Sequence, residues 1–199
     1  SREPKEKQNI DLLANYANTG LVNLGVFASK KYRNFGYSIT GLFNSQKAYD
    51  VDKDHFSELP SSSEFTLQPK FFFYLQGHSR IVLGNAFTIG KRNGGDISAV
   101  KDGPSGGHQY FEKNQTLRNT TTFEFDNRFS DNSIINLRSS FSVFDRKITI
   151  PDYKLDGINR NFYADFSWNK HFKNHTLIMG GNYIADKFSQ RNIILESQI

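Results

Sequence analysis

Apolar and polar side chains alternate along most of this sequence, and this period of two limits the fold more than any other feature. From Glu64 to Leu75 the odd positions are apolar and most even positions are polar. The same alternation runs from Ile135 to Val143 and from Asn161 to Trp168. Successive side chains of a β-strand point to opposite faces, so each stretch predicts a strand with one apolar face. A helical period is hard to find anywhere, so the sequence predicts an all-β fold.

The spacing of these strands predicts an antiparallel up-and-down meander. Eight strands are expected near 8–16, 21–29, 35–44, 63–75, 79–90, 116–126, 133–145 and 160–170, with a ninth near 175–187. Short polar turns are expected near 30–34, 76–78, 127–132 and 171–174, and long connections near 45–62, 91–115 and 146–159. Short turns at one rim and longer loops at the other are typical of transmembrane β-barrels.

Composition agrees with strands that have one apolar and one polar face. Aromatic residues make up 15% of the chain, yet the mean hydropathy is −0.59. No stretch approaches the 18 or so consecutive apolar residues of a transmembrane helix. Cysteine is absent, so no disulfide framework is expected. The net charge of +5 arises from scattered lysines and arginines rather than a basic run, so we expect no nucleic-acid partner.

A sheet with one apolar face must cover that face, and no helix is predicted to cover it. Lipid, a second sheet or a partner could cover it, and in a transmembrane barrel Leu137 and Phe141 would meet lipid. The opposite face carries charged residues suited to a watery lumen, namely Lys70, Glu124, Arg138 and Asp165. Aromatic residues near the strand ends, as in interfacial girdles, are Phe43, Phe71 to Tyr74, Phe125, Phe144, Trp168 and Phe188. We expect residues 1–199 to form a partial β-barrel domain, a segment of a transmembrane barrel.

Four stretches resemble TonB-dependent outer-membrane receptors, in order and in spacing. They are KAYDVDKDHFSELP at 47–60, GKRNGGD at 90–96, HQYFEKN at 108–114 and FDRKITIPDYKLDG at 144–157. The similarity covers residues 35 to 188 or so. The chain begins Ser-Arg-Glu-Pro without an initiator Met and ends just after an apolar stretch. We therefore expect both ends to be interior to a longer protein.

The resemblance implies a function in the outer membrane of a Gram-negative cell. Such receptors are barrels of about 22 strands whose lumen is filled by a plug domain. They bind and import scarce nutrients, such as iron–siderophore chelates, haem, cobalamin or glycans, with energy from the TonB complex. The implied partners are outer-membrane lipid, the plug, the remainder of the barrel, TonB acting through a missing N-terminal region, and the nutrient chelate. The sequence does not choose among the cargoes.

The long connections carry the candidate site residues. Asp50, Asp52, Asp54 and Glu58 could converge on Ca²⁺, which prefers oxygen ligands. The EF-hand pattern fails, because His55 stands at the required Gly and Ser61 at the required Glu, so a solvated acidic loop is the alternative. Candidates for contact with cargo are His108, Tyr110, Phe111 and Tyr153. The three aromatic residues could equally hold their loops to the barrel rim, and a single loop histidine is more often only solvated.

No cofactor other than this possible Ca²⁺ is expected, and no catalytic motif is present, so we expect no enzyme. The alternative to the receptor is a soluble β-sandwich that binds glycans or serves as an envelope scaffold. A sandwich would cover the apolar faces with each other.

Overall fold

Nine antiparallel strands form one sheet in the computed structural model, which describes residues 3–130 and 132–195, with side chains described as far as Arg191. Each strand pairs with its neighbours in sequence, so the topology is an uninterrupted meander. The strands are β1 (Asn9–Tyr16), β2 (Leu21–Lys31), β3 (Phe35–Gln46), β4 (Ser61–Leu75), β5 (Ser79–Gly95), β6 (Phe111–Ser130), β7 (Ser133–Ile150), β8 (Tyr153–Phe172) and β9 (His175–Leu195). The all-β meander is thereby confirmed. The described residues contain no second sheet, so the sandwich alternative is wrong for this part of the chain.

The strands are staggered as a tilted barrel wall requires. One row of paired residues crosses the sheet through Val22, Lys91 and Asp156. Below this row β2 continues nine residues to Lys31, whereas β8 continues 16 residues to Phe172. The short-turn ends thus shift by about one residue per strand, which is the shear that keeps a rim level when strands tilt.

Connections at the two rims differ in length. The short-turn rim has residues 32–34, 76–78, 131–132 and 173–174 between its strands. The predicted turns lie at these places, but those at 127–132 and 171–174 are shorter than predicted because β6 and β8 continue into them. The opposite rim carries two long loops, 47–60 and 96–110, and two short turns, 17–20 and 151–152. The predicted long connection at 146–159 is wrong, because β7 and β8 continue to a two-residue turn at Pro151 and Asp152. The predicted loop at 91–115 shortens to 96–110 for the same reason.

The two faces of the sheet have opposite character. The outer face carries Leu137 and Phe141 of β7, Phe162 and Phe166 of β8, and their partners across all nine strands, and many of these side chains are exposed. The inner face carries serines, threonines and charged residues on the same strands. The girdle prediction needs correction, since Phe72, Phe144 and Phe188 pair on the inner face.

Residues 3–8 lie across the inner face at the short-turn rim. Pro4 is buried against Gly36, where a Cβ would approach the proline ring. The amide of Lys31 donates to the carbonyl oxygen of Lys5 at 2.8 Å. Arg80 forms ion pairs with Glu3 and Asp126, and Arg138 pairs with Asp126 at 3.2 Å. The segment is therefore fixed to β2, β3 and β5. Ser1, Arg2 and the residues after Leu195, which bear on the predicted ends of a longer protein, lie outside the described residues.

One α-helix occurs among the described residues, α1 (Ile97–Asp102), and it was not predicted. With six residues, it is far too short to cross a membrane.

Candidate functional site at the long-loop rim

The two long loops, 47–60 and 96–110, are joined into a single unit that we call the paired loops. The amide of Ser57 donates to the carbonyl oxygen of Gly95, and the amide of Ile97 donates to that of His55. The rings of Phe56 and Tyr110 stack with their centroids 6.3 Å apart. Because each loop supplies hydrogen bonds that the other needs, the two loops hold one conformation together.

Asp96 begins α1 and organises the second loop. Its carboxylate accepts from the amides of Ser98 and Ala99 at 2.8 and 3.2 Å, which is the usual arrangement of a helix N-cap. Its other oxygen lies 2.6 Å from Nδ1 of His108. The hydrogen bond from His108, aided by the two amides, lowers the pKa of Asp96 although burial opposes it. Asp96 therefore stays ionised and ties both ends of the loop together.

The four predicted calcium ligands do converge. Asp50, Asp52, Asp54 and Glu58 each offer an oxygen within 4.8 Å of the others. However, these carboxylates also accept hydrogen bonds from the loop backbone, from the amides of Val51, Lys53, Asp54, His55 and Phe56. These bonds hold the loop without an ion, so the convergence has a second explanation. Calcium binding stays a prediction.

Crowding of these carboxylates has an electrostatic consequence at Asp52. Desolvation raises the pKa of Asp52, and the nearby charges of Asp54, Glu58 and Asp50 raise it further. The hydrogen bond from the amide of Asp54 acts in the opposite direction. A bound cation would relieve the repulsion among these carboxylates.

The predicted cargo contacts occupy different places. Tyr110 is exposed and stacked in the paired loops, and His108 is engaged with Asp96. Phe111 begins β6 on the outer face, where Lys113 lies 5.1 Å from its ring centroid. Tyr153 begins β8 on the inner face, opposite Ile150. The structure brings Tyr110 and His108 into one loop but separates them from Tyr153. Cargo contact by all four stays a prediction.

Three arginines on the inner face were not singled out from the sequence. Arg92 of β5, Arg118 of β6 and Arg146 of β7 lie on adjacent strands. Along β6, Arg118 lies four residues beyond Asn114, the partner of Arg92, and two residues beyond Thr116, the partner of Arg146. All three are exposed. None forms an ion pair with a described residue, and Arg118 lies 4.6 Å from the ring centroid of Phe144. Arg92 also lines an open cavity of about 330 Å³ with Asn44, Ser62, Glu64 and Asn114. We call these residues the inner arginines.

Predicted lumen charges lie nearer the short-turn rim, on the inner face as expected. Glu124, Arg138 and Asp165 are direct register neighbours across β6, β7 and β8. Lys70 of β4 stands opposite Gly84. Behind the apolar band of β6, β7 and β8, the inner face is therefore hydrophilic. A water-filled or protein-filled lumen suits such a surface, whereas hydrocarbon does not.

Taken together, the staggered meander, unequal rims and opposed faces define a segment of a β-barrel wall. The chain is similar in structure to the ferric-catecholate import receptor Fiu from E. coli K12 in its open form, with a TM-score of 0.74 and 11% identity over 96% of this chain and 36% of Fiu. The closed form of Fiu gives a TM-score of 0.71 and 10% identity, over 96% and 33%. No protein-family model and no curated protein matches the sequence.

These comparisons confirm, for the fold, the resemblance drawn from the four sequence stretches. All four stretches lie at the long-loop rim, in the paired loops, the strand ends beside them and the β7–β8 hairpin. At identities of 10–11% the similarity establishes the fold and leaves cargo and energy source open. The chain spans about a third of the length of Fiu.

Proposed function

We propose that this chain is part of a receptor in the outer membrane of a Gram-negative cell that binds and imports a scarce nutrient. One observation carries the proposal. Among the described residues only Phe72, Val82 and Ala99 are buried hydrophobics, whereas large apolar side chains are exposed on every strand. A soluble domain of this size cannot leave so continuous an apolar face in water, but lipid would cover it.

We further propose that residues 1–199 form one partial barrel domain completed by other parts of a longer protein. β1 and β9 each have one unpaired edge among the described residues, and such edges call for further strands. The hydrophilic inner face suits a plug domain in the lumen. Residues 3–8 already lie on that face, which supports a plug on this side. Coupling to the TonB complex follows from the resemblance alone, and we assign no catalytic step to the chain.

The inner arginines support an anionic cargo. Guanidinium groups bind anionic oxygens through several hydrogen bonds, and the three inner arginines lie on neighbouring strands without a carboxylate partner among the described residues. Arg146 donates only to the neutral Oδ1 of Asn114, at 3.3 Å. Fiu, whose fold this chain shares, is a ferric-catecholate import receptor. We therefore propose an anionic metal chelate of the iron–siderophore type as the nutrient, rather than haem, cobalamin or a glycan.

Cargo preference can be tested on the chain in detergent micelles. We expect Arg118→Gln to weaken the binding of a ferric catecholate complex about tenfold, because a charge-assisted hydrogen bond contributes about 1.5–3 kcal/mol. Equilibrium dialysis read by the absorbance of the complex would measure this. Arg33→Gln, at the short-turn rim, is the matched control. Equal binding by the wild type and Arg118→Gln would contradict the anionic cargo.

Membrane insertion can be tested separately by maleimide labelling of single introduced cysteines. Because the chain has no cysteine of its own, only the introduced one is labelled. Phe141→Cys and Leu137→Cys lie on the outer face of β7, and Ser140→Cys lies between them on the inner face. After reconstitution into phosphatidylcholine vesicles, we expect a water-soluble maleimide to label Ser140→Cys and spare the two outer cysteines. A lipid-soluble maleimide should label all three.

Rapid aqueous labelling of Phe141→Cys and Leu137→Cys would show that the apolar face does not meet lipid. The receptor proposal would then fail.

A further inference from the structure

A basic patch lies on the outer face of β7, β8 and β9, beyond the apolar band. Its cations are Lys147, Lys154, Arg160, Lys187 and Arg191, and its carboxylates are Asp145 and Asp156, which gives a net charge of +3. Lys91 of β5 and Lys113 of β6 extend the patch without a further carboxylate. All seven basic residues are exposed.

The patch begins where the apolar band ends. Phe141, Phe162 and Ala185 are register partners in the last apolar row of these strands, and the next outward row pairs Val143, Arg160 and Lys187. If the apolar band lies in hydrocarbon, Arg160 and Lys187 lie at its boundary. That boundary is where lipid headgroups carry their phosphates.

Arg191 is the one basic residue of the patch that is fully neutralised. It sits at a bulge in β9 opposite Asp156 and Gly157 and contacts Asp145 at 2.5 Å and Asp156 at 2.6 Å. Lys147 reaches Asp156 more distantly, at 3.8 Å. The remaining basic residues of the patch have no carboxylate partner among the described residues.

Arg160 and Lys187 form an unusual pair. They lie directly opposite each other across β8 and β9, where Cβ atoms are about 4.5–5.5 Å apart, and like charges at such positions destabilise a sheet. An anion between the two side chains would turn this repulsion into attraction. A phosphate monoester or diester has several acceptor oxygens and could bridge both.

We propose that Arg160 and Lys187, with the basic patch around them, bind the phosphate of an anionic lipid headgroup in the leaflet at the long-loop rim. The inference rests on the proposed function, because it needs the outer face to be in a membrane. The positive charge of the patch and its position next to the apolar band favour this partner. A soluble anion would gain nothing from the neighbouring apolar side chains of Phe141 and Phe162, whereas a lipid would. The opposite end of the outer face has only Lys30 and Lys170 on these nine strands and offers no like-charged pair.

The experiment is native mass spectrometry of the chain in detergent micelles to which phosphatidic acid or phosphatidylcholine of the same chain length is added. The wild type should retain phosphatidic acid preferentially. Arg160→Gln/Lys187→Gln should reduce this preference by about 25-fold at low salt, because each cation near a lipid surface contributes about fivefold, or about 1 kcal/mol. Arg160→Lys should retain most of the preference.

Lys30→Gln/Lys170→Gln is the matched control, because it removes two cations from the same face at the other rim. We expect it to leave the preference unchanged. Equal retention of both lipids by the wild type would overturn the headgroup site but not the receptor, since lipid would still bind. An equal loss in both double variants would also overturn it. A wild type that binds neither lipid and stays monomeric without detergent would overturn the proposed function itself.

Discussion

Asp96 shows how one side chain can fix the shape of a rim. Its two oxygens accept from Ser98, Ala99 and His108, and its own amide donates to the carbonyl oxygen of Tyr110. One residue therefore joins the start of α1 to the end of the loop. The sequence contains the signals for this helix. Asp96 is a typical residue to begin a helix, and Gly103 is a typical residue to follow its end. With only six residues between them, the helical period cannot develop and the signal is missed.

The pH dependence of the paired loops follows from Asp96. The pKa of Asp96 is lowered in the folded loop. Its contribution to the stability of the loop is therefore fully present above the unfolded carboxyl pKa of about 3.9, and is lost as pH falls through the lower folded pKa. We expect the amide of Gly103, which donates to Ala99, to lose hydrogen-exchange protection over that acidic range. In Asp96→Asn, the amide of Gly103 should be less protected than in the wild type at neutral pH, and its protection should change little when the pH is lowered.

Asp102→Asn, at the exposed end of the same helix, is the control and should behave as the wild type does. If Asp96→Asn kept full protection at neutral pH, the carboxylate would not be what holds the loop.

At the level of elements, the β7–β8 hairpin shows how a strand can be longer in the fold than its sequence pattern indicates. Along β7 the apolar positions are odd from Ile135 to Val143 and become even at Phe144, Ile148 and Ile150. The strand does not bulge there, because pairing with β8 is continuous. The environment changes instead: above the apolar band the outer face is charged and the inner face is more apolar. When the apolar positions switch from odd to even, the alternating pattern breaks, as it does where a strand ends. The sequence therefore predicted a loop at 146–159.

The turn of this hairpin gives a test of its geometry. Pro151 suits the first turn position, and Asp152 has φ of 61°, which glycine adopts more readily than aspartate. We expect Asp152→Gly to raise the free energy of unfolding in micelles by about 0.5–1 kcal/mol, as measured by urea titration. Thr149→Gly, in extended β7, should lower it by about 0.5–1 kcal/mol. A loss in both variants would show that the turn does not need a left-handed residue.

At the level of the whole molecule, local patterns determined most of what could be predicted. The alternation of apolar and polar side chains predicted nine strands, and the short polar turns between them predicted which strand ends share a rim. The inner arginines were missed because they belong to three strands, at positions 92, 118 and 146, and only the register brings them together. The joining of the two long loops was missed for the same reason. Contacts between distant segments leave no periodic trace in a sequence.

The exposure of the outer face leads to a prediction about the isolated chain. We expect it to aggregate without detergent and to become soluble when detergent is added, because micelles cover the apolar band. Size-exclusion chromatography with light scattering would follow both states. Replacing Leu137 and Phe141 by serine should shift the balance toward solubility, whereas replacing Ser140 and Ser142 by alanine should not. A detergent-free monomer of the wild type would contradict the prediction.

The stagger of the sheet has a consequence for how the molecule meets its surroundings. The strands lengthen from eight residues in β1 to 21 in β9, while the short-turn rim stays level. At about 3.4 Å per residue, β8 alone is about 68 Å long, about twice what a tilted strand needs to cross a bilayer. The sheet is therefore taller at β9 than at β1, and the added length lies on the side of the long loops. If the outer face lies in a membrane, as the proposed function requires, the β7–β8 turn at residues 151–152 would stand farther from the bilayer than the β1–β2 turn at residues 17–20, and protease added on that side should cut there first.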